Sequence, residues 1–278
     1  MLFDRLNFFT AGVPLSSKPG IINGLYRLKE LGLDGMEIEF VRGVRMSDDL
    51  AKEVNHVAKK LGLKLTAHAP YYINLNSREP EKVEASIKRI LDTAYKLYLC
   101  GGHSITFHAA YYMKDPKEKV YEQVKLALQR IVSELKENNI KVQVRPELTG
   151  KPTQFGDLNE LIRLSKELDL VLPCIDFAHC HARNNGKFNT FEEFVEMFKT
   201  IQQELGKDVL HDMHMHISGI QYSEKGEKNH LPLLESDFNY KDLLKAMKLF
   251  DVKGVLINES PNIEEDALLL KREYLSLD

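Results

Sequence analysis

Six polar residues, His68, His108, Glu147, Asp176, His216 and Glu259, recur along the chain at separations of 40, 39, 29, 40 and 43 residues, and each closes a short apolar or β-branched run. Imidazole nitrogen and carboxylate oxygen, without a thiolate pattern, are the ligand types of zinc or manganese sites rather than of a structural cysteine site. Such ions polarise a substrate oxygen and supply a nucleophile at neutral pH. Taken singly, each residue has a plainer reading. A histidine at a strand end is commonly hydrogen-bonded in the core, and an acid there commonly caps the next helix. Six together are different, because several ionisable groups gathered in one place are costly to desolvate unless they pair or hold a metal. The Asp176-Phe-Ala-His179 spacing adds His179 to the set. His214 and His216 stand two apart and share one face of a strand, with His214 one layer deeper. His56, His103 and His211 are assigned to structure or solvent, and spacing alone does not assign His181.

The elements that must carry these residues follow from the pattern around them. Eight short apolar runs, at 6–10, 35–40, 63–68, 104–108, 141–147, 171–176, 212–217 and 254–259, alternate with longer segments of helical periodicity such as 83–98, 120–135 and 243–250. Asp157 with Glu160, and Thr190 with Glu193, are spaced as capping boxes ahead of apolar runs. This alternation predicts parallel βαβ units closing into a single (β/α)₈ TIM barrel over 1–278, with the six residues gathered at its C-terminal rim. An open doubly wound sheet would show a Gly-rich phosphate turn after its first strand, and 10–15 does not match one. Arg145 lies two residues before Glu147 and is expected inside the barrel. A buried guanidinium must be paired, and Glu37 and Glu39 are its candidate partners.

Composition narrows the setting. A net charge of −3 gives no global basic signature for nucleic acid, although a local patch is compatible with it. Three cysteines without CxxC spacing read as reduced thiols, so the cytoplasm is expected. The opening MLFDRLNFF carries Asp4 and no long apolar stretch, so neither a secretory signal nor a membrane span is expected. A monomer is expected.

The segments His68-Ala-Pro-Tyr-Tyr-Ile-Asn-Leu, Glu147-Leu-Thr-Gly, Asp176-x-x-His179, His216-Ile-Ser-Gly and Glu259-Ser-Pro, in that order, resemble the endonuclease IV family of apurinic/apyrimidinic endonucleases. The resemblance implies a xylose-isomerase-like barrel with two or three zinc ions, manganese being the alternative. It gives His68, His108 and Glu147 to one ion, and makes Glu147 the catalytic bridge to a second held also by Asp176, His216 and Glu259. A third would take His179 and His230. The implied partner is double-stranded DNA, cleaved 5′ of an abasic site, with Tyr71 and Tyr72 entering the duplex. Arg42 and Arg183, on segments placed at the same rim, are candidate phosphate contacts. Three departures bear on this. The family's Asp-Arg-His is here Lys228-Asn229-His230, which leaves Glu227 as the neighbouring acid. Its Gly-rich continuation is Leu231-Pro-Leu-Leu-Glu235, and its His-Pro-Gly is His108-Ala-Ala. A looser resemblance, to sugar isomerases and epimerases of the same barrel type, needs only Glu147, Asp176, His216 and Glu259 around one or two ions. His68, His108 and His230 discriminate between the two. A degenerate barrel that only binds a metal or a partner is the third reading.

Overall fold

Short apolar strands and amphipathic helices alternate through residues 3–277, the part of the chain that the computed structural model describes. The strands are β1 (Leu6–Ala11), β2 (Gly35–Glu39), β3 (Lys64–His68), β4 (Ser104–Phe107), β5 (Gln143–Pro146), β6 (Cys174–Asp176), β7 (Met213–Ile217), β8 (Gly219–Ser223), β9 (Gly226–Leu231) and β10 (Gly254–Asn258). The helices are α1 (Ile21–Leu31), α2 (Asp48–Leu61), α3 (Pro80–Cys100), α4 (Lys117–Glu137), α5 (Leu158–Glu167), α6 (Phe177–Arg183), α7 (Phe191–Leu205), α8 (Tyr240–Leu249) and α9 (Glu264–Leu275). Eight of the strands, all but β8 and β9, are parallel with helices between them: the fold is a TIM barrel. β8 and β9 form a separate antiparallel hairpin, outside the eight apolar runs of the sequence.

Contacts divide the chain into two compact units. One comprises the chain through Met36, Gly150–Pro152 and everything from Ile175 on. The other comprises Glu37–Thr149 and Thr153–Cys174. In the first unit β10 is central, pairing in parallel with β1 and with β7. Its first residue must be glycine: Gly254 has φ +122°, and a Cβ there would lie 2.0 Å from the Met213 carbonyl oxygen. Phe9, Val255 and Ile257 pack with Phe3 beneath α9 and its neighbours. Phe177, Phe194, Phe198 and Phe238 form a second aromatic layer in edge and tilted contacts. The capping box at Thr190 and Glu193 starts α7 as its spacing predicts.

In the second unit β4 pairs in parallel with β3 and β5. These strands are buried on both faces, with Leu65, Ala67, Ile105, Phe107 and Val144 on one and Thr66, Thr106 and Arg145 on the other, because helices cover one side and a polar interior layer the other. α3 and α4 contribute Ile87, Ile90, Leu97, Val124, Leu128 and Ile131, each worth roughly 1.5–3 kcal/mol on burial. The Asp157 and Glu160 capping box is also present, at the head of α5. Cys100, Cys174 and Cys180 are buried and form no disulfide. No helix among the described residues is long and apolar enough to cross a membrane.

Candidate metal centre

In the second unit the parallel ladders run slightly past the regular strands, and this fixes the site residues by their backbones. The N–H of Glu147 donates to the Phe107 carbonyl at 3.0 Å and that of Leu148 to the Cys174 carbonyl at 3.0 Å. Glu147 therefore stands at the carboxyl end of β5, with His68 at the end of β3 and His108 just after β4. Nε2 of His68 lies 3.2 Å from Glu147 Oε2, and Nε2 of His108 lies 3.1 Å from Glu147 Oε1. Nδ1 of His68 is 2.6 Å from the Ala69 carbonyl, which can only accept, so Nδ1 carries a proton in either charge state and Nε2 is the nitrogen turned to Glu147. One ligand atom from each of the three residues falls within 4.8 Å of the others.

The acids of this group favour positive charge among them. Burial disfavours a charged His68, yet its hydrogen bond to Glu147 and the charges of Glu39, Glu147 and Glu37 outweigh that penalty and push the imidazole up to about 10. Glu37 is wholly buried beneath the group and accepts from Thr66 Oγ1 at 2.8 Å. Two imidazoles aimed at one buried carboxylate, above further acids, are a donor set that fits a divalent ion. Arg145 lies in the same interior layer with no exposed surface. Its Nε donates to Gln143 Oε1 at 3.1 Å and its Nη1 to the Pro173 carbonyl at 3.2 Å, so the buried position expected for it is the one observed.

The first unit carries the remaining ligand candidates. Asp176 closes β6 and caps α6, its Oδ1 accepting the His179 N–H at 2.6 Å while its Oδ2 faces His179 Nδ1 at 3.1 Å. The cap thus engages one oxygen of the carboxylate and leaves the other facing an imidazole. His179 Nε2 is 3.6 Å from Glu227 Oε2, and the His179 and His230 rings are 5.6 Å apart. His179, Glu227 and His230 present ligand atoms within 4.8 Å of one another. Burial and the neighbouring His179 lower the basicity of His230 against the pull of Asp176 and Glu227, which favours the neutral ring a metal requires. His216 Nδ1 is 3.3 Å from Glu259 Oε1, and the Glu259 N–H donates to the Ile217 carbonyl at 2.9 Å. His230 Nδ1 lies 3.2 Å from the Glu259 carbonyl oxygen. His214 is buried beside His216, with ring centroids 5.4 Å apart, as the shared strand face predicts.

The hairpin explains how Glu227 enters. Ile220 pairs with His230, Gln221 with Asn229 and Tyr222 with Glu227, so Lys228 is an extra residue in β9 at a register shift. In a regular strand residues 227 and 230 would face opposite ways. The bulge turns Glu227 to the His230 side and leaves Lys228 exposed. Gly150, from the Glu147-Leu-Thr-Gly segment, accepts the Glu227 N–H at 2.9 Å, and a Cβ on it would lie 2.6 Å from Glu227 Oε2 and 2.9 Å from His179 Cδ2. The sequence signals for this hairpin were the Ile220-Gln-Tyr222 alternation and Gly226, whose φ is +92°.

The residues expected to meet DNA are placed as follows. Tyr71 and Tyr72 are 52% and 69% exposed after β3, with the Tyr71 ring edge-on to His68 at 5.3 Å. Arg42 is exposed in the turn after β2. Arg183 is half-buried at the end of α6 and donates through Nη1 to the Lys151 carbonyl at 2.7 Å, which engages part of its guanidinium with the backbone.

Residues 25–275 match the family described as xylose isomerase-like TIM barrel. The chain belongs to that family. Among relatives of this xylose isomerase-like chain, an uncharacterized protein of Methanocaldococcus jannaschii is 47% identical over 98% of both chains. A protein of Mycoplasma genitalium named probable endonuclease 4 is 24% identical over 76% of this chain and 72% of its own. Of solved structures, a D-tagatose 3-epimerase-like protein superposes with a TM-score of 0.75 at 19% identity over 97% of each chain. Endonuclease IV from Thermus thermophilus superposes with a TM-score of 0.72 at 18% identity, over 98% of this chain and 100% of that one. At these identities the two structures establish the shared barrel of the xylose isomerase-like family and nothing finer.

Proposed function

We propose that this chain is a divalent-metal phosphodiesterase acting on damaged DNA, cleaving the duplex 5′ of abasic sites. The observation that carries the reading is the His179, Glu227 and His230 group, present in addition to His68, His108 and Glu147. A sugar isomerase or epimerase with one metal needs His216 and no histidine of either group. Relatives named probable endonuclease 4 support the same choice. Zinc ions, two or three with manganese as the alternative, would be held by His68, His108 and Glu147, by Asp176, His216 and Glu259, and by His179, Glu227 and His230. When bound they supply Lewis acidity to a phosphodiester whose negative charge otherwise repels a nucleophile.

The protein's own groups prepare that chemistry. Glu147, the proposed catalytic carboxylate, offers one oxygen to each of two imidazoles, and the Ala69 carbonyl locks His68 in the tautomer that presents Nε2. Tyr71 and Tyr72 are exposed beside this group, as side chains that fill the gap left by a turned-out nucleotide must be. Arg42 and Arg183 would contact phosphates. We read the chain as a monomer of one domain, 1–278, working in the cytoplasm, which its three cysteines, none of them in a disulfide, suit.

The test is nicking of a duplex with one abasic site against an unmodified duplex, in zinc or manganese, with isomerisation and epimerisation of simple sugars assayed alongside. Cleavage of the abasic duplex alone is expected, abolished by a chelator and by Glu147→Gln. No cleavage in either metal, together with sugar turnover dependent on Glu147 and Glu259, would move the assignment to the isomerase and epimerase class.

A further inference from the structure

His181 has no part in any of these ligand groups, yet it is wholly buried in α6 and both its ring nitrogens face oxygen atoms. Nδ1 lies 2.9 Å from the Lys187 carbonyl and Nε2 lies 3.3 Å from Asp237 Oδ1. The other oxygen of Asp237 accepts the Tyr222 hydroxyl at 2.7 Å. The Tyr222 ring is edge-on to His181 at 4.9 Å, and Phe238 closes the other side at 5.6 Å. Asn189 Nδ2 fixes the same segment by donating to the Asp237 carbonyl at 2.9 Å. The fit is close enough to depend on a glycine: a Cβ on Gly186 would stand 2.8 Å from the Tyr222 hydroxyl.

Tyr222 is the residue directly across the ladder from Glu227, and the register shift lies between it and Gln221. A two-stranded hairpin is marginal by itself, and a slip of one residue turns every side chain to the opposite face. This hairpin exposes Gln221, Lys228 and Asn229, so the apolar pattern does little to hold its register. What ties it to α6 is the packing of Ile220 and Tyr222 on Ala178 and Ala182, and the Tyr222, Asp237 and His181 chain.

We propose that His181, acting through Asp237 and Tyr222, is a positioning residue that pins the bulged hairpin and so keeps Glu227 and His230 against His179. The inference rests on reading that trio as a metal site. It predicts a defect confined to one ion, which a merely structural role for His181 would not produce.

The experiment loads the full chain with zinc, counts zinc per chain after dialysis, and follows zinc transfer to a chromophoric chelator. Glu227→Gln and Glu147→Gln first assign which zinc belongs to which group. His181→Phe removes both hydrogen bonds at nearly constant volume in a pocket already lined by rings, and Tyr222→Phe removes a single hydroxyl. Both are expected to release the Glu227-dependent zinc about tenfold faster or more, the usual scale for groups that orient ligands, and to leave the Glu147-dependent zinc and the melting temperature close to wild type. Should His181→Phe fail to fold, Tyr222→Phe decides alone. Release of every zinc at the wild-type rate from both variants overturns the positioning role. A wild-type chain with no zinc sensitive to Glu227→Gln instead overturns the metal reading of the trio, and the inference falls with it.

Discussion

Lys228 occupies the position where the resembled family carries an acid, and the backbone sets the neighbouring acid, Glu227, beside His179 and His230. By admitting Lys228 as an unpaired extra residue, β9 carries its neighbour Glu227 round to the face of His230. Glu227→Gln is therefore expected to lower bound zinc by about one ion per chain, while Lys228→Ala leaves the count unchanged, since its side chain is exposed and outside the group. Elemental analysis of the dialysed variants reads both. Equal loss from the two would mean that Lys228 is close to the ion and that β9 does not turn it away. The sequence showed that an acid adjoined Lys228 but not which way it faced. A period of two places residues 227 and 230 on opposite faces, and nothing in Gly226 to Leu231 announces the register shift. His68, His108, Glu147, Asp176, His216 and Glu259 were legible because each ends or directly follows a strand whose apolar run is plain in the sequence, and backbone bonds such as Glu147 to Phe107 then hold them there, whereas His230 was reached only through the family resemblance.

At the level of elements, the eight parallel strands begin and end within a few residues of their apolar runs, and both capping boxes form, because each signal is local. Contacts made far apart in sequence were not legible. The carboxylate of Glu264, at the start of α9, accepts the N–H groups of Leu15 at 2.8 Å and Ser16 at 2.7 Å, so it anchors the segment after β1 from about 250 residues away. Burial raises the pKa of Glu264, but these N–H groups and the Ser16 side chain overcome it and hold the carboxyl below its ordinary value of 4.5. A depressed carboxylate pKa contributes stability that is complete above 4.5 and is lost as pH falls through the lower, folded-state value. Glu264→Gln should accordingly destabilise the chain by about 1.5–3 kcal/mol at neutral pH, the scale of a charged hydrogen bond. The gap between variant and wild type should close as pH falls below 4.5. Urea melts at neutral pH and at a pH about one unit below that value measure this, and a gap that persists unchanged in acid would show that the charge of Glu264 is not what holds the loop.

For the molecule as a whole, a net charge of −3 understates how unevenly the acids are placed, with Glu37, Glu39 and Glu147 all acting on His68 and with Asp176, Glu227 and Glu259 set beside histidines. Whatever binds the folded chain and not the unfolded one stabilises it by mass action, about 2.7 kcal/mol at a hundredfold excess over Kd. For a chain of this size that is a rise in Tm of roughly 5–10 °C. Zinc is expected to produce such a rise, a chelator to reverse it, and Glu147→Gln or Glu227→Gln each to remove only part of it. The informative control is magnesium, which prefers oxygen ligands, keeps several of its waters and gains little from imidazole. If the acids alone were responsible, magnesium would relieve their repulsion as well as zinc does, and the two melting curves would coincide. A rise with zinc that magnesium fails to match requires the histidines, and so ties the stability of the fold to the same His and carboxylate groups on which the proposed hydrolysis depends.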